Sequence, residues 1–179
     1  MLQPTTAAPV LVIMGVSGCG KSTVAGLLAE RLGWDLVEGD DLHPDENVAK
    51  MASGVPLDDD DRAPWLDTVS SWIVEHALAG VPGVVTCSAL KRRYRDVLRE
   101  HDVVFVHLRG SGELLGSRMA AREGHFMPTS LLDSQFSALE PPQPDERHVD
   151  VDAGLPPEEQ VERVLAALGL DGSTGASGP

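Results

Sequence analysis

The chain has 179 residues, a length that predicts a single domain with a substantial core. Its 14 Lys and Arg residues stand against 28 Asp and Glu, and the net charge of −14 argues against binding to nucleic acid or to an anionic membrane. A hydrophobic content of 42% excludes a disordered chain, and two cysteines are too few for a disulfide framework. We therefore expect a cytoplasmic protein with neither a membrane span nor a signal peptide.

Apolar periodicity predicts alternating strands and helices along the chain. Short apolar runs predict five strands, at residues 10–14, 36–37, 84–87, 103–108 and 149–151. Apolar residues at helical spacing predict helices at residues 24–32, 44–54, 65–77, 91–100, 114–119, 129–138 and 161–168. The acidic run at residues 58–61 is expected to form a turn before the third helix.

This alternation predicts an α/β fold of three layers, in which a five-stranded parallel sheet has helices on both faces. We expect one domain over residues 10–168, with flexible segments at residues 1–9 and 169–179 that are too poor in apolar groups to pack. Ligands of such sheets bind at the carboxyl ends of the strands, so functional residues are expected there.

The first predicted strand runs into a complete phosphate-binding loop (P-loop) motif, G-x-x-x-x-G-K-[ST]. Its residues are Gly15, Val16, Ser17, Gly18, Cys19, Gly20, Lys21 and Ser22, followed by Thr23. Glycines let such a loop point backbone N–H groups at phosphate oxygens, and the next helix adds its N-terminus. Lys21 is suited to reach the β- and γ-phosphates and Ser22 to ligate Mg²⁺, so the motif predicts a nucleoside triphosphate with Mg²⁺ and leaves the acceptor open.

Other segments narrow the class of P-loop protein. The sequence has no Asn-Lys-x-Asp or Thr-Lys-x-Asp segment, which argues against a guanine-specific GTPase. No acidic residue ends the third predicted strand, where an ordinary Walker B carboxylate would stand, but Asp40 follows the second strand. That carboxylate could accept a hydroxyl proton and help hold the water shell of Mg²⁺, or it could cap the next turn or helix.

Longer blocks carry a family resemblance that extends from about residue 10 to residue 168. The chain resembles the gluconate kinases in Gly39-Asp-Asp-Leu-His43-Pro44, Lys50-Met-Ala-Ser-Gly54, Pro56-Leu-Asp-Asp-Asp-Asp-Arg62, Cys87-Ser-Ala-Leu-Lys91 and Arg122-x-Gly-His125-Phe126. The resemblance implies a P-loop kinase fold with a short helical lid at about residues 118–130. It also implies transfer of the γ-phosphoryl group of ATP to the 6-hydroxyl of D-gluconate.

Within that resemblance several polar residues acquire expected roles. Asp40 would orient or deprotonate the acceptor hydroxyl, and Arg62 would clamp the gluconate carboxylate, unless it pairs with the neighbouring aspartates instead. Lys91 stands where a helix is predicted to begin and where a cation opposes the helix dipole, which favours a role in anion binding. His43 could donate to substrate hydroxyls or cap the helix that follows Pro44.

The region after residue 117 is expected to supply further cations. Arg118 and Arg122 are four residues apart on one face of a predicted helix. In the resembled family this region is the lid, so both would stabilise charge on the transferring phosphoryl group; the alternative is an ordinary charged helix face. The segment Asp145-Glu-Arg147 matches a family block, and contact with the adenine side is expected there.

Two other functions stay open on the sequence. One is a kinase for another small hydroxy acid such as shikimate, against which the blocks at 42–44 and 88–91 argue. The other is a nucleotide-binding regulator without catalysis, against which Lys21, Asp40 and the expected lid argue. Members of the resembled family are often dimers, and the sequence leaves a homodimer open.

Overall fold

A computed structural model of the protein describes residues 9–121 and 129–170, without the side chains of residues 119, 120 and 129–131. The strands are β1 Val10–Met14, β2 Asp35–Glu38, β3 Gly83–Thr86, β4 Val103–Arg109 and β5 His148–Asp152. They form one parallel sheet in the order β2-β3-β1-β4-β5, which confirms the predicted five-stranded parallel sheet.

Helices connect the strands and cover both faces of the sheet. They are α1 Lys21–Leu32, α2 Asp45–Ala52, α3 Asp59–Ala79, α4 Arg92–Leu98, α5 Gly112–Ala121, α6 Thr129–Ala138 and α7 Pro157–Leu168. A short 3-10 helix, Gly39–Leu42, follows β2. The predicted α/β/α architecture is therefore correct.

The start of α3 differs from the prediction, because the acidic run belongs to the helix. Asp58 is the N-cap, and its side chain accepts a hydrogen bond from the Asp61 N–H at 2.7 Å. The Asp61 carboxylate accepts from the Asp58 N–H at 3.0 Å, which completes a capping box. Negative side chains in a first helical turn also match the helix dipole. The expected turn at residues 58–61 is thus the cap and first turn of α3.

Strand β1 lies at the centre of the sheet and sends alternate side chains into two cores. Leu11 and Ile13 pack with apolar residues of α1 and α7 on one face. Val12 and Met14 pack with apolar residues of α3 and α4 on the other. Burial on both faces explains why this strand is a continuous apolar run. It also fixes the loop that follows β1 on a rigid support.

Within the described part of the chain, no helix combines the length and the apolar composition that crossing a membrane requires.

A fully buried ion pair joins α4 to the segment before β5. Arg95 donates to Glu146 through Nε at 2.7 Å and Nη2 at 3.2 Å, and both side chains are 0% exposed. The Arg95 Nη1 group also donates to the carbonyl oxygens of Ala89 and Leu90. Ala89 has a φ of 46°, a conformation that costs free energy in a residue with a side chain. The ion pair therefore holds the loop between β3 and α4.

Removing one partner of this pair is expected to destabilise the protein strongly. Burial would raise the pKa of Glu146, but hydrogen bonds from Arg95 and from the Gln143 N–H, with the Arg95 charge, lower it overall. Glu146→Ala leaves a buried arginine unpaired, so we expect a loss of about 3–5 kcal/mol in the free energy of unfolding at pH 7, measured with urea. Because the Glu146 pKa is lowered on folding, the difference from wild type should shrink as the pH falls below the usual glutamate range.

The adjacent residue provides the matched control for this substitution. Asp145 makes a bidentate pair with Arg92, but its side chain is 59% exposed. Asp145→Ala should therefore cost less than about 1 kcal/mol. Equal losses for the two variants would contradict the role assigned to the buried pair.

Candidate active site

The P-loop lies where the sequence predicts it, between β1 and α1. Gly15 has a φ of 144°, and a Cβ there would lie 2.8 Å from Cys19 Sγ and 2.9 Å from the Leu108 carbonyl oxygen, so only glycine fits. Gly20 is the left-handed N-cap of α1, and the first N–H groups of that helix have no acceptor within it. The loop and the helix end together form a cradle for phosphate.

The side chains of Lys21 and Ser22, which end the motif, have partners in the protein. Lys21 Nζ donates to the carbonyl oxygens of Gly15 at 3.0 Å and Val16 at 3.1 Å. Ser22 Oγ donates to Glu38 Oε2 at 3.0 Å. The ammonium group thus lies against the loop itself, and the hydroxyl lies beside a carboxylate from the end of β2.

Glu38 is a functional candidate that sequence reasoning missed. Its Oε2 also accepts a hydrogen bond from Thr86 Oγ1 at 2.6 Å, and Thr86 Oγ1 accepts from the Gly39 N–H at 3.0 Å. This chain of hydrogen bonds fixes the carboxylate between β2 and β3. The available signal was an acidic residue at the carboxyl end of the second strand, where ligands of parallel sheets bind.

The oxygen donors at this position suit Mg²⁺. Ser22 Oγ and the Glu38 carboxylate are hard oxygen ligands, which Mg²⁺ prefers. Within residues 9–121 and 129–170, no cluster of three His, Cys, Asp or Glu residues could enclose a metal ion. A magnesium ion here would therefore depend on water and on substrate phosphates for most of its coordination, as is usual for this metal.

A single cleft joins the P-loop to the carboxyl ends of β2 and β3. Its polar lining consists of Ser17, Lys21, Asp40, His43, Arg62, Ser88, Ser134 and Gln135. Its apolar lining consists of Met51, Val55, Pro56, Leu57, Trp65 and Leu90. Lys21, Asp40, His43 and Arg62, which the sequence singles out, thus come together in the described structure.

Asp40 reaches this cleft because the chain turns tightly after β2. A Cβ at Gly39 would lie 1.9 Å from the Thr86 carbonyl oxygen, so the 3-10 helix can pack this closely against β3 only with glycine there. The Gly39 carbonyl oxygen also accepts from Trp65 Nε1 at 2.7 Å. Since the N-cap of α2 is Pro44, neither Asp40 nor His43 caps that helix. The alternative that Asp40 or His43 caps helix α2 is therefore wrong.

His43 is held as a neutral ring within the cleft lining. Its ring stacks on Trp65 with centroids 4.2 Å apart, and its Nδ1 lies 3.2 Å from Asn47 Nδ2. Burial lowers the pKa of His43, with Asp40 opposing the shift and Arg62 adding to it. Because the Asn47 amide donates to Nδ1, the ring proton resides on Nε2. A neutral imidazole of this tautomer can donate one hydrogen bond to a ligand hydroxyl.

Arg62 brings positive charge into the cleft lining. Its Nη1 donates to the Leu57 carbonyl oxygen at 2.6 Å and to the Tyr94 hydroxyl at 3.3 Å, and its guanidinium lies 5.5 Å from the Tyr94 ring centroid. Among the described residues, no carboxylate forms an ion pair with Arg62. The alternative that it neutralises the neighbouring aspartates is therefore wrong, and its charge is available to an anionic ligand.

Two of those aspartates, Asp59 and Asp61, pair with other cations instead. Lys50 Nζ lies 2.7 Å from Asp61 Oδ2, and Lys91 Nζ lies 3.5 Å from Asp59 Oδ1. A hydrogen bond from Tyr94, with the charges of Arg93 and Lys91, lowers the pKa of Asp59 against the effect of burial. Lys91 itself does not line the cleft. Its role in substrate binding therefore stays a prediction.

The remaining candidates divide between described and undescribed residues. Arg118 lies half-buried on α5, whereas Arg122 and most of the expected lid at residues 118–130 lie outside the described residues. Arg147 pairs with Asp102, which precedes β4 and so lies near the amino ends of the strands, whereas the P-loop follows the carboxyl end of β1. Glu146 of the same segment is buried against Arg95, and contact of this segment with adenine stays a prediction.

The surroundings of the two cysteines argue against a nucleophilic role. Both Cys19 and Cys87 are buried and free. Burial raises the pKa of Cys87 to about 12, so its thiol is protonated at neutral pH.

The chain is similar to several known proteins. A family model described as an AAA domain matches residues 10–142. A gluconokinase of Gluconobacter oxydans is 52% identical over 157 residues, which cover 87% of this chain and 88% of that protein. A solved gluconokinase from Sinorhizobium meliloti has a TM-score of 0.83 at 47% identity and covers 91% of this chain and 93% of its own. A sugar kinase structure from a Janibacter species has a TM-score of 0.87 at 48% identity, with coverages of 91% and 95%.

Proposed function

The chain belongs to the gluconokinase family, and on that premise we propose that it transfers the γ-phosphoryl group of ATP to the 6-hydroxyl of D-gluconate, which yields 6-phosphogluconate and ADP. The supporting observation is the single cleft that brings Lys21 of the P-loop together with Asp40, His43 and Arg62. Phosphoryl transfer needs a phosphate cradle, a group that receives the acceptor proton and cations around the reacting oxygens. The lining of one cleft offers all three.

The P-loop side of the cleft would bind the nucleotide. The amides of residues 15–23 face phosphate oxygens in this proposal, and Lys21 exchanges its two carbonyl partners for the β- and γ-phosphates. Ser22 would ligate Mg²⁺, with Glu38 and Asp40 holding its water shell. When bound, the metal supplies charge neutralisation for the transferring phosphoryl group.

The opposite side of the cleft would bind the acceptor. Arg62 forms charge-assisted hydrogen bonds with the gluconate carboxylate, and His43 donates from Nε2 to a hydroxyl of the polyol. Asp40 accepts the proton of the attacking 6-hydroxyl while the oxygen bonds to phosphorus and ADP departs. Lys91 would add to the attraction of the carboxylate, and Arg118 and Arg122 would stabilise the transferring phosphoryl group.

The direct test is ADP release from ATP and Mg²⁺ with D-gluconate, shikimate, glucose or no acceptor. Turnover that depends on gluconate supports the proposal. Turnover only with shikimate would retain the mechanism and change the substrate, whereas ATP binding without acceptor-dependent turnover would leave a nucleotide-binding regulator. Identification of the product as the 6-phosphate by ³¹P NMR would establish the site of transfer.

Arg62 offers a test of the acceptor side alone. Arg62→Lys keeps one positive charge but removes the planar fork that binds a carboxylate through two hydrogen bonds. We expect the KM for gluconate to rise about 10- to 100-fold, from the loss of about 1.5–3 kcal/mol, while the KM for ATP stays within about twofold. Arg93→Lys, at an exposed arginine that pairs with Asp59, is the matched control and should leave both constants unchanged. An equal rise in both KM values for Arg62→Lys would contradict the assignment.

We also propose that the protein acts in the cytoplasm, where ATP is available and buried free thiols such as Cys19 and Cys87 stay reduced. Homodimer formation stays a prediction of the family resemblance.

A further inference from the structure

The side chain of Gln135, on helix α6, forms two hydrogen bonds with the P-loop. Its Oε1 accepts a hydrogen bond from the Ser17 N–H at 2.7 Å, and its Nε2 donates to Ser17 Oγ at 3.0 Å. These two bonds link residues 118 positions apart, and one of them uses a backbone amide of the phosphate cradle. In the structure a carboxamide oxygen therefore holds a group that the loop presents to phosphate.

The position of Ser17 indicates which phosphate its amide serves. Ser17 and Gln135 line the same cleft as Asp40 and Arg62, so this part of the loop faces the acceptor side. In a phosphoryl transfer the phosphate next to the acceptor is the terminal one, because the attacking oxygen must reach its phosphorus. The Ser17 N–H therefore belongs to the γ-phosphate of ATP, and ADP has no group at that position.

We infer that Gln135 competes with the γ-phosphate for the Ser17 amide and so sets the preference of the loop between ATP and ADP. A backbone N–H carries one hydrogen and satisfies one strong acceptor at a time. Binding of the triphosphate must displace Oε1 of Gln135, whereas binding of the diphosphate leaves that bond in place. The bond to Ser17 Oγ retains Gln135 beside the loop and makes its return after transfer local. This inference rests on the proposed nucleotide binding by the loop.

The test compares the affinities of two nucleotides for one variant. Gln135→Ala removes the competing oxygen, and calorimetric titration without gluconate gives dissociation constants for a non-hydrolysable ATP analogue and for ADP, both with Mg²⁺. We expect the ATP analogue to bind about 2- to 10-fold more tightly than to wild type, the range of one net hydrogen bond. ADP should bind within about twofold of wild type.

Two further variants separate competition from a general effect on the loop. Ser17→Ala keeps the backbone amide and removes only the hydroxyl that anchors Gln135 Nε2. It should therefore also lower the dissociation constant of the ATP analogue, by a smaller factor than Gln135→Ala. Ser137→Ala, at an exposed residue of α6 whose hydroxyl bonds within the helix, should change neither affinity. Because Ser17→Ala leaves α6 intact, it tests the inference even if Gln135→Ala destabilises that helix.

The opposite role predicts the opposite result. If Gln135 only supports the loop, Gln135→Ala weakens the binding of the ATP analogue and of ADP together. That outcome overturns the inference, while nucleotide binding by the wild-type protein stands. Unchanged affinities for both ligands also overturn it. Failure of the wild-type protein to bind either nucleotide would instead overturn the proposed function on which the inference rests.

Discussion

Lys21→Ala is expected to lower kcat for gluconate-dependent ADP formation by about 10²- to 10³-fold or more. In the proposed mechanism the ammonium group binds the β- and γ-phosphates, where negative charge develops during transfer. In the structure the carbonyl oxygens of Gly15 and Val16 hold Lys21 at the P-loop, and the proposal has it exchange them for the phosphates. The measurement is a coupled assay of ADP under saturating gluconate and ATP.

The control for Lys21→Ala lies at the other end of the same helix. Arg31 is an exposed cation in the last turn of α1 and pairs with Glu162 on α7. Arg31→Ala removes one positive charge from α1 and should leave kcat within about twofold of wild type, with unfolding temperatures of both variants near that of wild type. A Lys21→Ala enzyme that kept more than a tenth of wild-type kcat would contradict the role assigned to the lysine.

The fold was predictable because local patterns and topology agree. The apolar run of β1 and the motif that follows it predict both a buried central strand and the place of the phosphate cradle. The boundary of α3 was missed because four consecutive aspartates are typical of a turn. Here Asp58 and Asp61 cap each other, and that reciprocal pair shows only in three dimensions.

The sequence predicted those site residues that belong to motifs. It did not predict the residues whose role depends on which strands and helices are neighbours in the fold. Asp40 stands out because no acidic residue ends β3, whereas Glu38 acquires meaning only once β2 lies beside β3 and its carboxylate meets Ser22. Gln135 belongs to no motif, and its contact with Ser17 depends on how α6 packs. Spacing along the chain does not encode such contacts.

The sequence also could not show which cations are paired with carboxylates in the folded protein. Arg62 follows four aspartates and Lys91 precedes two arginines. The order of residues alone does not show which of the two cations pairs with an aspartate. In the structure Asp59 pairs with Lys91, while Arg62 bonds to a carbonyl oxygen and a phenol and retains its charge for the cleft. A protein with a net charge of −14 can therefore attract an anion at Arg62, because the nearby Asp59 and Asp61 pair with other cations.

Asp40→Asn should lower kcat by about 10²- to 10⁴-fold while the dissociation constant for ATP stays within about threefold. The carboxamide keeps the shape of the side chain and one acceptor oxygen, but it cannot take up the proton of the acceptor hydroxyl. The backbone that carries Asp40 is fixed by Gly39 against Thr86, so the substitution should not move the position. Steady-state turnover and calorimetric titration of ATP measure the two effects separately.

The neighbouring carboxylate makes the result for Asp40 decisive. Asp41 has the same chemistry one residue away in the same 3-10 helix, but it does not line the cleft. Asp41→Asn removes an equal charge and should leave kcat within about twofold. Similar losses for the two variants would show that the net field of the 3-10 helix matters rather than proton transfer to Asp40. A loss for Asp40→Asn accompanied by much weaker binding of ATP with Mg²⁺ would assign this carboxylate to the metal and leave the proton to another acceptor.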